Sequence, residues 1–140
     1  MKELVLFYSY SGNTKNIASK YAAENNCDIC EVINEKKHNK FYSYVIGCFK
    51  AMKGGVFKIQ PLMINQTPVN FEDYDTVNIF APIWAGHPAP SMNSALNLIP
   101  KNKKTKLFMV SASGESSKDV ISKRVESLGL EILNYEDIKS

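Results

Sequence analysis

Short apolar runs alternate with helical patterns along most of this chain, and this alternation restricts the possible folds more than any other feature. The run Leu4-Val5-Leu6-Phe7-Tyr8 is almost continuously apolar, which is typical of a strand buried on both faces of a parallel sheet. The predicted strands cover residues 4–8, 27–33, 76–81, 106–111 and 130–133, and the predicted helices cover residues 14–24, 41–52, 92–98 and 118–128. This order predicts an α/β fold with a doubly wound, five-stranded parallel sheet.

The composition fits one domain with its own core. The chain has 140 residues, of which 44% are hydrophobic and 22% charged, and we expect residues 1–140 to form a single domain. No apolar run approaches the length of about 18 residues that spans a membrane, and no signal-peptide pattern precedes the first strand, so we expect a cytoplasmic location. The net charge is only +3, and without a broad basic face we expect no nucleic-acid partner.

The predicted sheet lacks a last helix. After the fifth predicted strand only residues 134–140 remain, which are too few for a stable helix. We therefore expect exposed apolar area on the sheet face beside the first helix, and either a homodimer or a partner protein on that face. The alternative is a chain truncated before its last helix.

The loop after the first strand is rich in hydrogen-bonding groups. Ser9, Ser11, Asn13 and Thr14 supply side-chain donors around Gly12, and a helix N-terminus adds backbone amides that favour an anion. The loop has neither the lysine of a triphosphate-binding loop nor the three glycines of a dinucleotide fingerprint. A single phosphate monoester fits this loop best, and the alternative is a helix cap that binds no ligand.

Two further loops leave the carboxyl ends of predicted strands, where open α/β sheets bind their ligands. The segment APIWAGHPAPS, residues 81–91, holds the only tryptophan of the chain, Trp84. Its indole either stacks on a flat ring or packs into the core beside the loop. His87 either faces the same ligand or is exposed to solvent. The third loop is the serine-rich segment 111–117.

Together these segments resemble flavodoxins. Ser9, Gly12, Thr14 and Ala18 occupy the positions of the flavodoxin phosphate-loop signature, with Tyr21 in place of its last aliphatic residue. The segment APIWAGHPAP is similar to the loop after the third strand of flavodoxin-like proteins, where an aromatic side chain stacks on the isoalloxazine ring. Residues 41–55 resemble the second-helix segment of a short flavodoxin-like subgroup. The resemblance extends to Leu133 and implies the strand order 2-1-3-4-5.

The resemblance implies bound FMN, with its phosphate on the first loop and its ring between the second and third loops. The residues it assigns to FMN are Ser9, Tyr10, Ser11, Gly12, Asn13 and Thr14 in the first loop, Pro82, Ile83, Trp84, Ala85, Gly86 and His87 in the second, and Ser113, Gly114 and Glu115 in the third. It implies an electron-transfer protein that shuttles electrons between redox partner proteins. One alternative is a small FMN-dependent oxidoreductase linked to NAD(P)H or a quinone. A second, less favoured alternative is an interaction module that binds no flavin.

Two departures from flavodoxins bear on the partner. Flavodoxins are typically strongly acidic, whereas this chain has a net charge of +3, so the partner surface must differ. Flavodoxins also commonly place a tyrosine in the third loop, and the segment SASGESS has no aromatic residue. That face of the flavin is then open to a substrate or a protein.

A thiol redox function is a further alternative, because Cys27-Asp28-Ile29-Cys30 is a C-x-x-C motif. On a strand, residues three apart point to opposite faces of the sheet, so we expect that these two thiols neither form a disulfide nor share a metal. Since zinc would need four ligands from scattered cysteines and histidines, we expect no metal. No catalytic residue is assigned.

Overall fold

The computed structural model describes residues 2–36 and 40–140, in which long strands and helices alternate. The long strands are β1 Glu3–Phe7, β2 Asp28–Glu31, β3 Thr76–Trp84, β4 Lys104–Ser111 and β5 Glu131–Lys139. The helices are α1 Asn13–Glu24, α2 Lys40–Met52, α3 Pro90–Leu96 and α4 Lys118–Ser127. Between α2 and β3 lie a small hairpin of Met63–Ile64 with Thr67–Pro68 and a 3-10 helix, Phe71–Asp73.

The long strands form one sheet in the order β2-β1-β3-β4-β5, and every neighbouring pair along this order is parallel. The predicted doubly wound α/β architecture and the strand order 2-1-3-4-5 are therefore confirmed. In this order β1 and β3 are neighbours, although β2 and α2 lie between them in the chain. The strand order reverses at this point, and such a reversal leaves a crevice at the carboxyl ends of the central strands. None of the helices described here is long and apolar enough to cross a membrane.

Alternate residues of the sheet build two separate cores, because successive side chains of a strand point to opposite faces. Leu6, Ile79 and Leu107 belong to the larger core, which Met92 of α3 and Ile121 of α4 cover. The smaller core lies under α1 and contains Phe80 and Phe108. Their rings stack at 4.4 Å between centroids, and the ring of Tyr21 from α1 packs on them at 5.2 and 5.1 Å.

The outer strip of the sheet face beside α1 is largely polar. On β5 the residues that share this face are Asn134, Glu136 and Ile138, paired with Lys106, Phe108 and Val110 of β4. Phe108 is only 5% and Val110 only 3% exposed. The expectation of an exposed apolar face here is therefore wrong, and self-association through it stays a prediction without that support.

A buried hydrogen-bond network joins this face to α1. The side chain of Asn78 is fully buried; its Nδ2 donates to Glu3 Oε1 at 3.1 Å and its Oδ1 accepts from the Tyr21 hydroxyl at 3.2 Å. Glu3 Oε1 also lies 3.7 Å from Lys106 Nζ. Because each buried polar group has a partner, this network avoids the cost of leaving polar groups unpaired inside the protein.

Two predicted strand ends are wrong. The fifth strand does not end at Leu133 but runs to Lys139, with a β-bulge at Leu133, which has no partner between the pairs Thr105↔Ile132 and Lys106↔Asn134. The third strand does not break at Pro82, which pairs with Val110. Pro82 is tolerated because β1 pairs with β3 only as far as Phe80, so a missing N–H interrupts no ladder on that side.

Replacing Asn78 by alanine should destabilise the fold by about 1–3 kcal/mol, since it removes the hydrogen bonds of Asn78 to the Tyr21 hydroxyl, to Glu3 and to the Leu4 carbonyl. The matched control is Asn134→Ala on the exposed side of the same sheet face, which should change stability by less than about 0.5 kcal/mol. Urea denaturation measures both. Equal effects of the two variants would contradict the role assigned to the network.

Candidate functional site

The three loops that follow β1, β3 and β4 meet at the carboxyl edge of the sheet. The first and second loops are in contact, because the rings of Tyr10 and Trp84 lie edge to face with 5.5 Å between centroids. The second and third loops are joined by a hydrogen bond of 2.9 Å from the Ser117 N–H to the Gly86 carbonyl. The fold therefore brings together the three segments that were singled out in the sequence.

The first loop ends in a helix start without a side-chain cap. Gly12 is the N-cap of α1, in the left-handed conformation with φ +102°, and no side chain caps the helix. The first helical hydrogen bond runs from Asn16 N–H to the Gly12 carbonyl at 3.0 Å. In the described part of the chain, the amides of Asn13, Thr14 and Lys15 donate no hydrogen bond. The alternative that this loop serves as a side-chain cap is therefore wrong.

The side chains of this loop are arranged to leave those amides accessible. Ser9 Oγ accepts a hydrogen bond from the Gly12 N–H at 3.1 Å and so holds the turn. Thr14 is 3% exposed and packs beneath the loop, whereas Ser11 and Asn13 are exposed. A Cβ placed on Gly12 would have no heavy atom within 4 Å, so open space lies beside the turn. The arrangement suits a small anion that binds the free amides.

The second loop is a tight hairpin. Trp84, predicted in a loop, is the last residue of β3 and pairs with His87, while Ile83 pairs with Pro88. Ala85 and Gly86 between them have φ values of +51° and +84°, as a two-residue turn with two left-handed positions requires. Trp84 is thus held by a strand and a rigid turn, and its ring has a defined position.

Trp84 packs partly into the core, and it also lines an open groove. Its ring contacts Tyr8 edge to face, with 6.3 Å between centroids. The ring also lies against Gly47 of α2, where an added Cβ would come within 2.3 Å of Cζ3. A groove of about 590 Å³ opens between this ring and α2, hereafter the Trp84 groove. Its lining includes Tyr10, Cys48, Phe49, Met52, Trp84 and Ala85.

In the third loop, two backbone amides form hydrogen bonds with a side chain of the same loop. Ser111 Oγ accepts from the N–H groups of Gly114 and Glu115 at 3.0 and 3.1 Å, in contrast to the free amides at the start of α1. Beside this loop lies a second cavity of about 540 Å³, hereafter the serine cleft. Its lining includes Ile83, Ala85, Gly86, Ser113, Glu115 and Ser116. Neither Trp84 nor Gly114 lines the cleft, and Gly114 packs against Lys139.

Tyr135 and Asp137 lie at this edge of the sheet and were not identified from the sequence. Ser116 Oγ bonds to the Tyr135 hydroxyl and to Asp137 Oδ1, both on β5. Lys118 Nζ lies 5.5 Å from the centre of the Tyr135 ring. The third loop therefore does have an aromatic neighbour, which β5 supplies. The signal that could have found it is the strand-forming pattern of residues 134–139, which continues β5 beyond Leu133.

His87 is partly buried, so the expectation of a solvent-exposed histidine is not met. Its Nδ1 is buried and has no hydrogen-bond partner among the described residues, and the same holds for one guanidinium nitrogen of Arg124. Burial lowers the pKa of His87 below its usual 6.5, and the nearby positive charge of Arg124 lowers it further. His87 is therefore neutral at pH 7 in the folded protein.

Cys27 and Cys30 lie on opposite faces of the sheet. Cys27 lies one residue ahead of β2 and packs with the core under α1, while Cys30 is 1% exposed in the opposite core. The prediction that their side chains lie on opposite faces is confirmed. Burial raises the pKa of the Cys30 thiol to about 11 and also raises the pKa of the Cys27 thiol, which disfavours the reactive thiolate. Among the described residues, no three His, Cys, Asp or Glu side chains could hold a metal ion.

The comparisons with known proteins place the fold. The sequence matches no family model and no curated protein. A flavoprotein from Lactobacillus acidophilus NCFM, solved in complex with FMN, matches with a TM-score of 0.74 and 23% identity over 96% of this chain and 91% of that chain. Megasphaera elsdenii flavodoxin, in the two-electron reduced form, matches with a TM-score of 0.57 and 15% identity over 97% and 87% of the two chains.

A flavodoxin from the domain Archaea also matches, with a TM-score of 0.56 and 14% identity over 99% of this chain and 85% of that chain. These structures are similar to this one across almost its whole length. The chain therefore has the flavodoxin-like fold that the resemblance of its loops implied.

The environment of His87 predicts a pH-dependent loss of stability. The pKa of His87 in the folded protein is below 6.5, so as the pH falls His87 binds a proton in the unfolded chain before it does so in the folded protein. The free energy of unfolding therefore decreases from about pH 6.5 downwards, by at most about 1.4 kcal/mol per pH unit. The variant His87→Gln should lose less stability than the wild type between pH 7.5 and pH 5.5, measured by urea denaturation at both values. The same loss in both proteins would contradict the buried, neutral state of His87.

Proposed function

We propose that this protein binds FMN and carries electrons between redox partner proteins. The observation that carries the proposal is the set of unpaired amides on Asn13, Thr14 and Lys15, at the start of α1. A helix N-terminus with free amides binds a phosphate group, because the N–H groups and the helix dipole both favour negative charge. The carboxyl edge of an open parallel sheet is also where such folds bind their ligands.

The loop fits a phosphate monoester better than a larger anion. The open space beside Gly12 leaves room for an anion to approach the backbone, and Ser11 and Asn13 are exposed donors next to it. No acidic residue lies between Ser9 and Lys15 to repel a phosphate. FMN carries one phosphate monoester, so its charge and size agree with the donors available.

Similar structures support FMN over other phosphate esters. The flavoprotein from Lactobacillus acidophilus is described in complex with FMN, and its match covers 96% of this chain. In such a protein FMN supplies the redox chemistry, and the polypeptide binds and orients it and excludes water. In this chain the first loop would hold the phosphate, and Trp84, fixed by β3 and the turn at Ala85-Gly86, would position the ring.

We favour an electron carrier over a turnover enzyme. The third loop and the hairpin at Ala85-Gly86 leave open cavities at the sheet edge. Among the residues proposed to hold FMN, the side chains able to act as a general acid or base are Tyr10, His87 and Glu115. His87 is held neutral by its surroundings, so it is not poised to donate a proton at pH 7. These features support exchange of electrons through an exposed cofactor.

Titration with FMN and with riboflavin tests cofactor binding. FMN should bind and lose its fluorescence, whereas riboflavin, which lacks the phosphate, should bind at least about 100-fold more weakly, since charge-assisted hydrogen bonds contribute roughly 1.5–3 kcal/mol each. Asn13→Asp places a carboxylate beside the phosphate and should weaken FMN binding about ten-fold.

The matched control is Asn25→Asp, which makes the same charge change at the other end of α1 and should leave FMN binding unchanged. Riboflavin affinity should be the same in Asn13→Asp and the wild type. FMN fluorescence that stays unquenched at micromolar protein would refute the proposed function.

Addition of NADH or NADPH to the FMN-bound protein separates the carrier from an oxidoreductase. A carrier depends on a separate reductase, so the flavin absorbance near its visible maximum should persist for many minutes under anaerobic conditions. Chemical reduction with dithionite serves as the positive control for a reducible flavin. Rapid bleaching by either nicotinamide would instead identify a turnover enzyme.

A further inference from the structure

We infer that a cavity between α2 and α3, lined by three lysines, is the docking site for an acidic segment of a partner protein. This inference rests on the proposed function and deepens it, because it names the chemistry of the redox partner. The cavity has a volume of about 640 Å³ and is hereafter called the lysine cavity. Its lining includes Lys36, Lys50, Lys58, Val56, Phe57 and Leu98.

The lysine cavity is separate from the loops proposed to hold FMN. Among the described residues of those three loops, none lines it, and it shares no lining residue with the Trp84 groove or the serine cleft. Lys50 of α2 lines the lysine cavity, whereas Phe49 and Met52 of the same helix line the Trp84 groove. Helix α2 therefore lies between the two cavities, and a ligand of the lysine cavity is not part of the cofactor site.

The positive charge of the chain is concentrated in the segment that supplies these lysines. Residues 36–71 contain six lysines and no aspartate or glutamate, and α3 carries no charged residue. The whole chain has 17 Lys and Arg against 14 Asp and Glu, so the remainder of the chain is net acidic. The net positive charge therefore comes from this one segment, and a positive surface attracts acidic partners.

The lysines of the cavity have no acidic partner in the described part of the chain. None of the ion pairs there includes Lys36, Lys50 or Lys58. Glu35 precedes Lys36, and its N–H donates to the Lys58 carbonyl at 2.9 Å, but its side chain does not line the cavity. Because ammonium groups around one cavity repel each other, a ligand with carboxylates would relieve this repulsion.

Hydrogen bonds between α3 and the segment after α2 hold the wall of the cavity in place. Asn93 Nδ2 donates to the Gly55 carbonyl at 3.0 Å, and the Ser94 hydroxyl donates to the Phe57 carbonyl. Lys50 Nζ lies 4.9 Å from the centre of the Phe57 ring, an attractive contact between a cation and an aromatic face. The wall and one of its charges are thus ordered before a partner binds, which lowers the entropic cost of binding.

Exposed apolar side chains accompany the lysines. Val56 is 44% and Leu98 54% exposed, and on the other side of α2 Phe49 is 62% and Met52 57% exposed. Apolar area surrounded by charged side chains is typical of protein–protein contact surfaces. A partner that covers both sides of α2 would also lie next to Trp84, which shares a groove with Phe49 and Met52. A partner segment with both carboxylates and apolar side chains therefore fits this surface.

A second group of lysines, Lys101, Lys103 and Lys104, lacks these properties. The cavity that they line, of about 340 Å³, is also lined by Glu72 and Asp75, so both signs of charge are present. Lys103 Nζ already donates to two backbone carbonyls, at 2.9 and 2.7 Å. This second group therefore offers a control with the same type of charge and no preference for an acidic segment.

Binding of defined peptides tests the inference. The probe is a dye-labelled peptide in which pairs of glutamates alternate with single leucines, and two comparison peptides carry glutamine for glutamate or serine for leucine. In fluorescence anisotropy the full-length protein should bind the probe at micromolar concentrations and each comparison peptide at least about five-fold more weakly. Raising the salt from about 20 to about 200 mM should weaken binding of the probe, because salt screens exposed charges.

Charge variants locate the binding site on the protein. The double variant Lys36→Gln with Lys58→Gln should weaken binding of the probe about five-fold, because it removes two exposed ion pairs with the peptide. The matched control is Lys101→Gln with Lys104→Gln, which makes the same charge change at the second group of lysines and should leave the affinity unchanged. All four side chains are exposed, so both double variants should fold.

An apolar variant tests the other half of the surface. Leu98→Ser removes an exposed apolar side chain from the lysine cavity and should weaken binding of the probe about three-fold. The matched control is Leu133→Ser on β5, where the leucine is 46% exposed, and this variant should bind the probe as the wild type does.

Four outcomes would overturn the inference. The first is no binding of the probe at about 1 mM protein, and the second is an equal loss of affinity in the two lysine double variants. The third is a DNA duplex that displaces the probe as well as unlabelled peptide does, since the surface would then bind any polyanion. The fourth is dimerisation of the wild type without peptide, seen in analytical ultracentrifugation and lost in Lys36→Gln with Lys58→Gln, which would assign the surface to a second copy of the chain.

FMN titration of the same variants separates this inference from the proposed function. All of them should bind FMN as the wild type does, because none of the three loops is changed. If FMN binds and the probe does not, the inference fails and the proposed cofactor stands. If the probe binds as described and FMN does not, the docking site stands and the proposed function fails.

Discussion

The unpaired amides at the first turn of α1 are the constraint on which the rest of the site depends. Backbone N–H groups at a helix start need an acceptor, and most helices supply one from a capping side chain. Here Gly12 occupies the cap position and no side chain fills the role. The hydroxyl of Ser9 already accepts the hydrogen bond of the Gly12 N–H. The backbone amides at the start of α1 therefore remain free to bind a ligand. They lie at the edge of the sheet where the loops after β3 and β4 also lie.

The outer part of the sheet face beside α1 is polar. In the described part of the chain no helix follows β5, and the strip of sheet it would cover carries Lys106, Asn134 and Glu136. The ring of Tyr21 packs on the aromatic core under α1. The polar contacts among Asn78, Glu3 and Lys106 lie at the edge of that core. The polar side chains of this strip thus continue the sheet face beyond the aromatic core. The same β5 then reaches far enough to hold Ser116 through Tyr135 and Asp137.

The sequence was sufficient to predict what depends on local pattern. Apolar runs and helical periodicity predicted the strands, their parallel pairing and the loops that meet at the sheet edge. It did not predict where β3 and β5 end, because Pro82 and the polar residues after Leu133 are tolerated only through their positions relative to neighbouring strands. Nor could it predict that the Trp84 ring would lie against Gly47 of α2. That contact joins residues far apart in the chain and depends on the packing of a helix whose position no local signal reveals.

The central claim is that the amides of the first turn of α1 bind the phosphate of FMN. It is tested most directly by ¹H–¹⁵N correlation spectra of the ¹⁵N-labelled protein, titrated in parallel with FMN and with riboflavin. The account predicts that FMN shifts the amide resonances of Asn13, Thr14 and Lys15 more than those of the rest of α1, and that riboflavin leaves them in place. FMN binding that leaves these three resonances unmoved would contradict it.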